Sequence, residues 1–392
     1  RFAPSLKADM VTGNVQQRKE VLDRWKEVDV LITSYDLLRR DITDYQELHF
    51  FCEVIDEAQY IKNHGTQAAR AVKQVQTGFR LALTGTPIEN RLSELWSIFD
   101  YLMPGYLYSY QRFRTELEQP IVQHKDEDAA KRLQRLIRPF VLRRLKKEVL
   151  QDLPDKLEEN LYADMDGEQQ ELYDAHVRRM KLMLEEKSDE EIRTDKIEIL
   201  AELTRLRQLC CDPALLYDSY KGGSAKTELV RGLIRNAVEN GHKVLLFSQF
   251  TTMLERLYRI LEEEKIASHM LTGATPKEKR IEMVESFAHD EVPVFCISLK
   301  AGGTGLNLTA ADVVIHFDPW WNSAVQNQAT DRAHRIGQKN VVNVYRILAK
   351  GTIEEKIVEL QERKLQLSDR ILGGESLQAQ GLTREELLEL LR

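Results

Sequence analysis

Residues 50–59 read FFCEVIDEAQ, a largely apolar run that ends in two adjacent carboxylates. A short, nearly continuous apolar run is typical of a strand in a parallel sheet that is covered on both faces. Two similar runs flank it, VDVLITSY at 28–35 and FRLALTG at 79–85. Helix-length segments separate the runs, as in α/β folds. We therefore predict a parallel-sheet domain over residues 1–105, and an incomplete one because three strands are few.

The same alternation returns in the second half of the chain and predicts a second parallel-sheet domain over residues 223–350. Residues 106–222 are charged and helix-periodic, which predicts a helical insertion and linker between the two domains. Residues 351–392 repeat apolar residues at helical spacing, so we expect a helical tail that packs on the domains. The strand-like runs of the second domain are KVLLFSQF (243–250), SHML (268–271), VPVFCISL (292–299), DVVIHFD (312–318) and VVNVYRIL (341–348).

The composition narrows the class of protein. The 392 residues are 42% hydrophobic and 30% charged, which is typical of a globular chain rather than a fibrous or disordered one. There is no apolar run near the roughly 18 residues that span a bilayer, and the first residues lack the pattern of a secretion signal. The four cysteines form no Cys-x-x-Cys pair, which argues against structural zinc and disulfides. We predict a cytoplasmic protein.

One stretch is strongly basic although the whole chain carries a net charge of −7. Residues 131–147, KRLQRLIRPFVLRRLKK, hold eight Lys and Arg residues and no acidic residue. Such a run can contact a polyanion such as nucleic acid, and it can equally be a solvated helix face. The sequence leaves both interpretations open.

Polar residues that could take part in catalysis or binding follow two strands of the first domain. Asp56 and Glu57 end the run at 50–56, and ligands collect at the carboxyl ends of parallel strands. There the first carboxylate can hold a hydrated Mg²⁺ and the second can activate a water, although a helix-capping acid is the alternative. Thr84, Gly85 and Thr86 follow the next strand, where hydroxyls can sense carboxylates and phosphates or merely form a turn.

The second domain carries a glycine cluster and a pair of arginines. Residues 298–307, SLKAGGTGLN, place three glycines within four residues, which permits close approach of the backbone to a phosphate or sugar. Arg332 and Arg335 are three apart, which predicts that they share one face of a helix. Guanidinium forks suit phosphoryl oxygens, whereas a surface ion-pair helix is the alternative. Trp320 and Trp321 can stack on a base or fill a core.

Taken together and in this order, these segments resemble the Swi/Snf family of ATP-driven DNA translocases in helicase superfamily two, over nearly the whole chain. The resemblance implies an α/β fold of two RecA-like parallel-sheet lobes, the first incomplete, with a helical insertion between them. The segments that carry it are TSY (33–35), DEAQ (56–59), TGTP (84–87), LLFSQF (245–250), the glycine segment at 298–312, DPWWN (318–322) and the arginine segment at 328–338.

The resemblance also implies cofactors, partners and roles. The lobes would close on ATP, with Asp56 holding Mg²⁺ through water, Glu57 activating the attacking water and Arg332 and Arg335 acting as arginine fingers. Gln59 completes the catalytic set. The partner would be double-stranded DNA, contacted mainly through its phosphates. Nucleotide binding or coupling is expected of Thr84, Gly85, Thr86, Gly303, Gly305 and Gln328. DNA contact is expected of Thr33, Ser34, Ser248, Thr272, Lys300 and Trp321.

Some features depart from the family pattern. Gln59 stands where His is common, and the 392 residues contain no Gly-x-x-x-x-Gly-Lys-Ser/Thr phosphate loop. We expect that loop upstream of Arg1, which would make this chain a fragment with weak or absent ATP hydrolysis. The lean insertion favours a bacterial or archaeal member over a nuclear one. A non-catalytic DNA-binding or scaffold protein that natively lacks the loop is the alternative function, and a third is an enzyme that separates strands or acts on RNA.

Overall fold

The computed structural model divides the chain into two compact units, a first that runs to Val141 and a second that begins at Leu142. This boundary lies inside the segment predicted as a helical insertion. None of the helices in the described residues combines the length and apolarity that a bilayer crossing requires. The structure describes residues 3–85, 92–124, 126–144, 146–150, 152–188, 191, 194–302, 306–362, 387, 388, 390 and 391.

The first unit contains two pairs of parallel strands. The pairs are β1 with β2 and β3 with β4, so this unit has one short strand, β1, that the sequence patterns missed. The strands are β1 (Ala8–Met10), β2 (Val30–Ile32), β3 (His49–Ile55) and β4 (Gln76–Ala82). The helices are α1 (Val15–Asp23), α2 (Tyr35–Arg40), α3 (Ile42–Tyr45), α4 (Gln67–Gln74), α5 (Leu92–Leu102), α6 (Tyr110–Phe113), α7 (Gln119–His124) and α8 (Glu127–Ile137).

Within the described part of the chain, the β3–β4 pair is covered on one face. Ile55 packs in a core with Ala58, Ile61 and Val72, beneath α4 and α5. On the other face, apolar side chains remain exposed among the described residues: Phe79 at 55%, Val54 at 53% and Leu81 at 42%. The prediction of strands covered on both faces is therefore met on one face of this pair.

The second unit is built around a six-stranded sheet in which every pairing is parallel, in the order β5-β10-β9-β6-β8-β7. The predicted α/β fold class is confirmed. The strands are β5 (Lys156–Ala163), β6 (Val244–Ser248), β7 (Ser268–Leu271), β8 (Val294–Ser298), β9 (Val313–His316) and β10 (Val342–Ala349). The helices are α9 (Lys146–Val149), α10 (Gly167–Glu186), α11 (Lys196–Cys211), α12 (Ala225–Glu239), α13 (Thr251–Glu263), α14 (Lys277–Phe287), α15 (Leu299–Gly302) and α16 (Ser323–Thr330), and residues 353–362 are also helical.

One strand of this sheet lies where only helices were predicted. β5 has the sequence KLEENLYA and pairs with β10 along its whole length, from Lys156 opposite Val342 to Ala163 opposite Ala349. It is the edge strand, so most of its side chains are partly or fully exposed and no apolar run marks it. The expectation of a helical segment at these positions was therefore wrong.

A buried ion pair attaches the helical residues 353–362 to the second sheet. Lys226 Nζ lies 2.9 and 2.8 Å from the two carboxylate oxygens of Glu354, and both side chains are fully buried. The ammonium also lies 5.1 Å from the centre of the Phe317 ring, and the Ala349 N–H donates to Glu354 Oε2 at 2.8 Å. Ile353 is buried in the neighbouring core. Two charges are thus held in the interior by each other and by hydrogen bonds.

A neutral histidine lies inside the second unit. His316 is buried, its Nε2 lies 2.8 Å from Thr330 Oγ1, and its ring stacks on Phe247 at 5.4 Å between centroids. Burial, and then the positive charges of Arg346 and Lys156, lower the pKa of His316 to about 3. The folded protein therefore resists protonation at this site.

We expect the free energy of unfolding to fall as the pH drops below about 6.5, the pKa of His316 in the unfolded chain. Between that pH and about 3 only the unfolded chain binds the proton, so each pH unit costs about 1.4 kcal/mol. Denaturant unfolding at pH 7 and pH 5 measures this loss. His316→Gln should reduce the loss, whereas the exposed control His49→Gln should leave it unchanged. Equal pH dependence in wild type and His316→Gln would contradict the assignment.

Candidate functional site

The acidic pair lies at the carboxyl end of β3, as predicted. The Glu57 backbone has φ 51° and ψ 52°, a left-handed conformation that is uncommon for residues other than glycine. The Glu57 N–H donates to Asp56 Oδ1 at 2.8 Å, and Ala58 begins a 3₁₀ turn with its side chain fully buried. This local conformation is held by the turn and directs two consecutive carboxylates out of the strand end.

Gln59 joins the acidic pair to the end of the next strand. Its Nε2 donates to Glu57 Oε2 at 2.6 Å, and its Oε1 accepts from Thr84 Oγ1 at 2.8 Å. A backbone hydrogen bond links the same two segments, since the Ala58 N–H donates to the Leu83 carbonyl at 2.9 Å. The structure therefore brings Glu57, Gln59 and Thr84 together. Gly85 follows in an exposed bend, and Thr86 lies outside the described residues.

Tyr35 supports the acidic pair from a third segment. Its hydroxyl donates to the Asp56 carbonyl at 2.7 Å, and its ring stacks on Tyr60 with 5.5 Å between centroids. Burial, and then the nearby carboxylates, raise the pKa of Tyr35, so the hydroxyl stays protonated and can donate. The sequence placed Tyr35 in the TSY segment (33–35) that carries the family resemblance, but it did not predict this support of the acidic pair.

Thr33 and Ser34, both predicted to contact DNA, differ in the exposure of their hydroxyl groups. Ser34 is the N-cap of α2, where its side chain accepts from the Leu37 N–H at 3.3 Å. Ser34 is exposed, whereas the hydroxyl of Thr33 is buried. Of these two predicted DNA contacts, only Ser34 presents its side chain at the surface.

The donor set at the strand end is suited to a hydrated Mg²⁺. Asp56 is exposed and supplies one carboxylate, while the described residues contain no group of three or more His, Cys, Asp or Glu that could surround a metal. Mg²⁺ usually keeps several waters and binds through one or two carboxylates together with substrate phosphates. A single carboxylate fits that pattern and does not fit structural zinc.

The two arginines of the arginine segment do not lie on a helix. α16 ends at Thr330, and Arg332 and Arg335 lie in the turns that follow, so the prediction that they share a helix face was wrong. The chain leaves the helix because tertiary hydrogen bonds hold it. The Leu308 N–H donates to the Arg332 carbonyl at 3.0 Å, and Gln338 Nε2 donates to the carbonyls of Ala311 at 2.8 Å and Ala333 at 3.2 Å.

These contacts place the arginines beside the glycine segment. Arg335 is exposed, and its Nη1 lies 3.5 Å from the carbonyl of Leu306, which belongs to that segment. Gln328 is half-buried on α16. Gly303 and Gly305 lie outside the described residues, and the backbone of Lys300 lies in α15. Gln338 ends the arginine segment and was given no bonding role from the sequence; it follows Gly337 at φ 107°, and such a glycine is the signal of a fixed turn.

The remaining predicted DNA contacts are not all accessible. Ser248 is 1% exposed and its hydroxyl donates to Asp318 Oδ1 at 2.5 Å, so its side chain is part of the interior. Trp321 is half-buried against a core cluster, with the Arg207 guanidinium 5.7 Å from its ring, which favours the packing alternative. Thr272 is half-buried in a turn closed by Thr275.

Comparisons with known proteins agree on one family. A family model described as SNF2-related domain matches residues 1–215, and one described as Helicase conserved C-terminal domain matches residues 225–337. The chain is 39% identical over 391 residues to an uncharacterized ATP-dependent helicase of Mycoplasma pneumoniae, covering 100% of this chain and 37% of that protein.

Similarity extends to eukaryotes and to solved structures. The chain is 34% identical over 412 residues to the human SWI/SNF-related matrix-associated actin-dependent regulator of chromatin subfamily A member 1, covering 100% of this chain and 39% of that protein. It thus spans about two fifths of the length of these relatives. The Sulfolobus solfataricus SWI2/SNF2 ATPase core in complex with dsDNA is 36% identical, with a TM-score of 0.48, over 95% of this chain and 78% of that chain.

Proposed function

This chain belongs to the SNF2 family, and we propose that it works as the ATP-hydrolysing motor of a double-stranded DNA translocase. The observation that supports the proposal most directly is the contact between Glu57, Gln59 and Thr84. A base that activates water needs a fixed orientation, and this contact orients the Glu57 carboxylate through one oxygen.

In the proposed mechanism the residues have separate tasks. Mg²⁺, when bound, would neutralise charge on the phosphates, with Asp56 holding the ion through its waters. Glu57 would accept a proton from the attacking water, and Gln59 would keep Glu57 in position. Arg332 and Arg335 would stabilise the charge that grows on a transferring phosphoryl group.

DNA contact in the proposed function falls to fewer residues than the sequence suggested. Ser34 is exposed and stays a candidate for contacts with phosphates. The buried hydroxyl of Thr33 and the buried side chain of Ser248 are better explained as supports for the segments that carry such contacts. Contacts with phosphates would let the motor move along DNA of any sequence.

The test is ATP hydrolysis with and without duplex DNA, measured on the gene product that carries these 392 residues and on the 392-residue chain alone. We expect duplex DNA to stimulate the gene product, and single-stranded DNA or RNA to do so less. We expect slow hydrolysis by the chain alone, because it contains no phosphate-loop sequence to cradle the nucleotide. Hydrolysis by the gene product that duplex DNA does not stimulate would contradict the proposal. Absence of hydrolysis in the gene product would also contradict it and would favour a non-catalytic scaffold.

A further inference from the structure

Part of the basic stretch at 131–147 contacts the arginine segment of the second unit. Lys146, the first residue of α9, places its Nζ 2.6 Å from Asp331 Oδ1 and 3.3 Å from the His334 carbonyl oxygen. Asp331 directly precedes Arg332, and His334 directly precedes Arg335. One ammonium group therefore holds the residue before each of the two arginines.

A second contact from the same stretch of chain supports this arrangement. His334 Nε2 lies 2.8 Å from the carbonyl oxygen of Pro154, so residues 146–154 approach the arginine segment at two points. The turns beyond α16 are joined to the helix end by the Arg332 and His334 N–H groups, which donate to the Ala329 and Thr330 carbonyls at 3.2 Å each. The contacts from Lys146 and Pro154 add tertiary restraints to these turns. Gln338 holds the other end of the segment through Ala311.

We propose that Lys146 is a positioning residue for Arg332 and Arg335, acting through Asp331 and the His334 carbonyl. The inference rests on the proposed ATP hydrolysis and adds to it a residue that orders the arginines. It also gives one basic residue of the 131–147 stretch a role other than a solvated surface charge. Arg332 and Arg335, and not Lys146, would contact the phosphoryl group.

The expected effect on stability is small and the expected effect on rate is large, which distinguishes a positioning role from a structural one. The side chains of Lys146 and Asp331 are 43% and 39% exposed, and ion pairs so exposed contribute little to stability. Removing the pair should therefore leave the protein folded. Misplacement of a catalytic group by about 1 Å can nevertheless reduce a rate by about a hundredfold.

The experiment measures kcat, KM for ATP and the melting temperature of Lys146→Ala, Lys146→Arg and the charge-swapped K146D/D331K in the gene product. We expect Lys146→Ala to lower kcat about tenfold or more with KM changed by less than about twofold. Lys146→Arg should recover most of the loss, and the charge swap should recover only the part that depends on the ion pair with Asp331, because an aspartate cannot donate to the His334 carbonyl. The matched control is Lys350→Ala, which breaks an exposed pair with Asp164 (3.1 Å) and should retain wild-type kcat.

A second measurement does not depend on hydrolysis. In the 392-residue chain, Lys146→Ala should speed amide hydrogen exchange at residues 331–338 by about fivefold or more and leave β6 unchanged. Wild-type kcat in Lys146→Ala, a charge swap no better than Lys146→Ala, or unchanged exchange would each overturn the inference. A wild-type protein without ATP hydrolysis would contradict the proposed function instead. Hydrogen exchange at residues 331–338 would then be the measurement that tests whether Lys146 orders this segment.

Discussion

Glu57→Gln is expected to lower DNA-stimulated ATP hydrolysis about 10³-fold while leaving nucleotide binding nearly intact. The amide keeps the shape of the carboxylate but cannot accept a proton from water, and general-base catalysis contributes about 10²- to 10⁴-fold. The amide can still meet Gln59 through its oxygen, so the local hydrogen bonds with Gln59 and Thr84 should survive. Steady-state hydrolysis together with nucleotide binding separates the two effects.

The control for this variant is Glu47→Gln, an exposed glutamate of the same unit. It changes the net charge by the same amount and should retain wild-type hydrolysis. If Glu57→Gln kept more than a tenth of the wild-type rate, a residue other than Glu57 would have to activate the water.

Arg335→Ala is expected to lower kcat by about 10³-fold or more, because an arginine finger is worth about 10³- to 10⁵-fold in phosphoryl transfer. Arg335 is exposed and its hydrogen bond to the Leu306 carbonyl is long, at 3.5 Å, so little folding energy should be lost. Arg335→Lys should recover only a small part of the rate, because an ammonium lacks the planar fork of donors.

The matched control is Arg259→Ala, an exposed arginine on α13 of the same unit. Melting temperatures of both variants should lie close to that of wild type. A fall in melting temperature confined to Arg335→Ala, with hydrolysis unchanged, would show that the residue acts in folding rather than in catalysis.

The family and the fold class followed from short apolar runs and the polar residues that end them. β6 and β8 lie inside the predicted runs at 243–250 and 292–299, because fully buried strands must be apolar. β5 was missed for the opposite reason, since its partner β10 stabilises a polar strand at the sheet edge. A pairing between residues so far apart along the chain leaves no local signal.

Some features of the candidate site could likewise be predicted from local sequence, whereas others depend on tertiary structure. The position of Asp56 and Glu57 at a strand end could be predicted, because an apolar run followed by two acids is a local pattern. The link through Gln59 to Thr84 depends on how β3 and β4 pair, and the hydrogen bond from Tyr35 depends on how α2 packs. The sequence identified the polar groups without their partners.

By itself, the amino-acid sequence determined the α/β class, the family and the order of the chemical segments, since these depend on residue type and on spacing along the chain. Only the tertiary structure decided which polar side chains are exposed and which are interior. Ser248 and Arg335 both looked like surface chemistry, yet Ser248 is bonded to Asp318 inside the fold and Arg335 is exposed beyond the end of α16. The physical reason is that burial and hydrogen-bond partners come from residues distant along the chain.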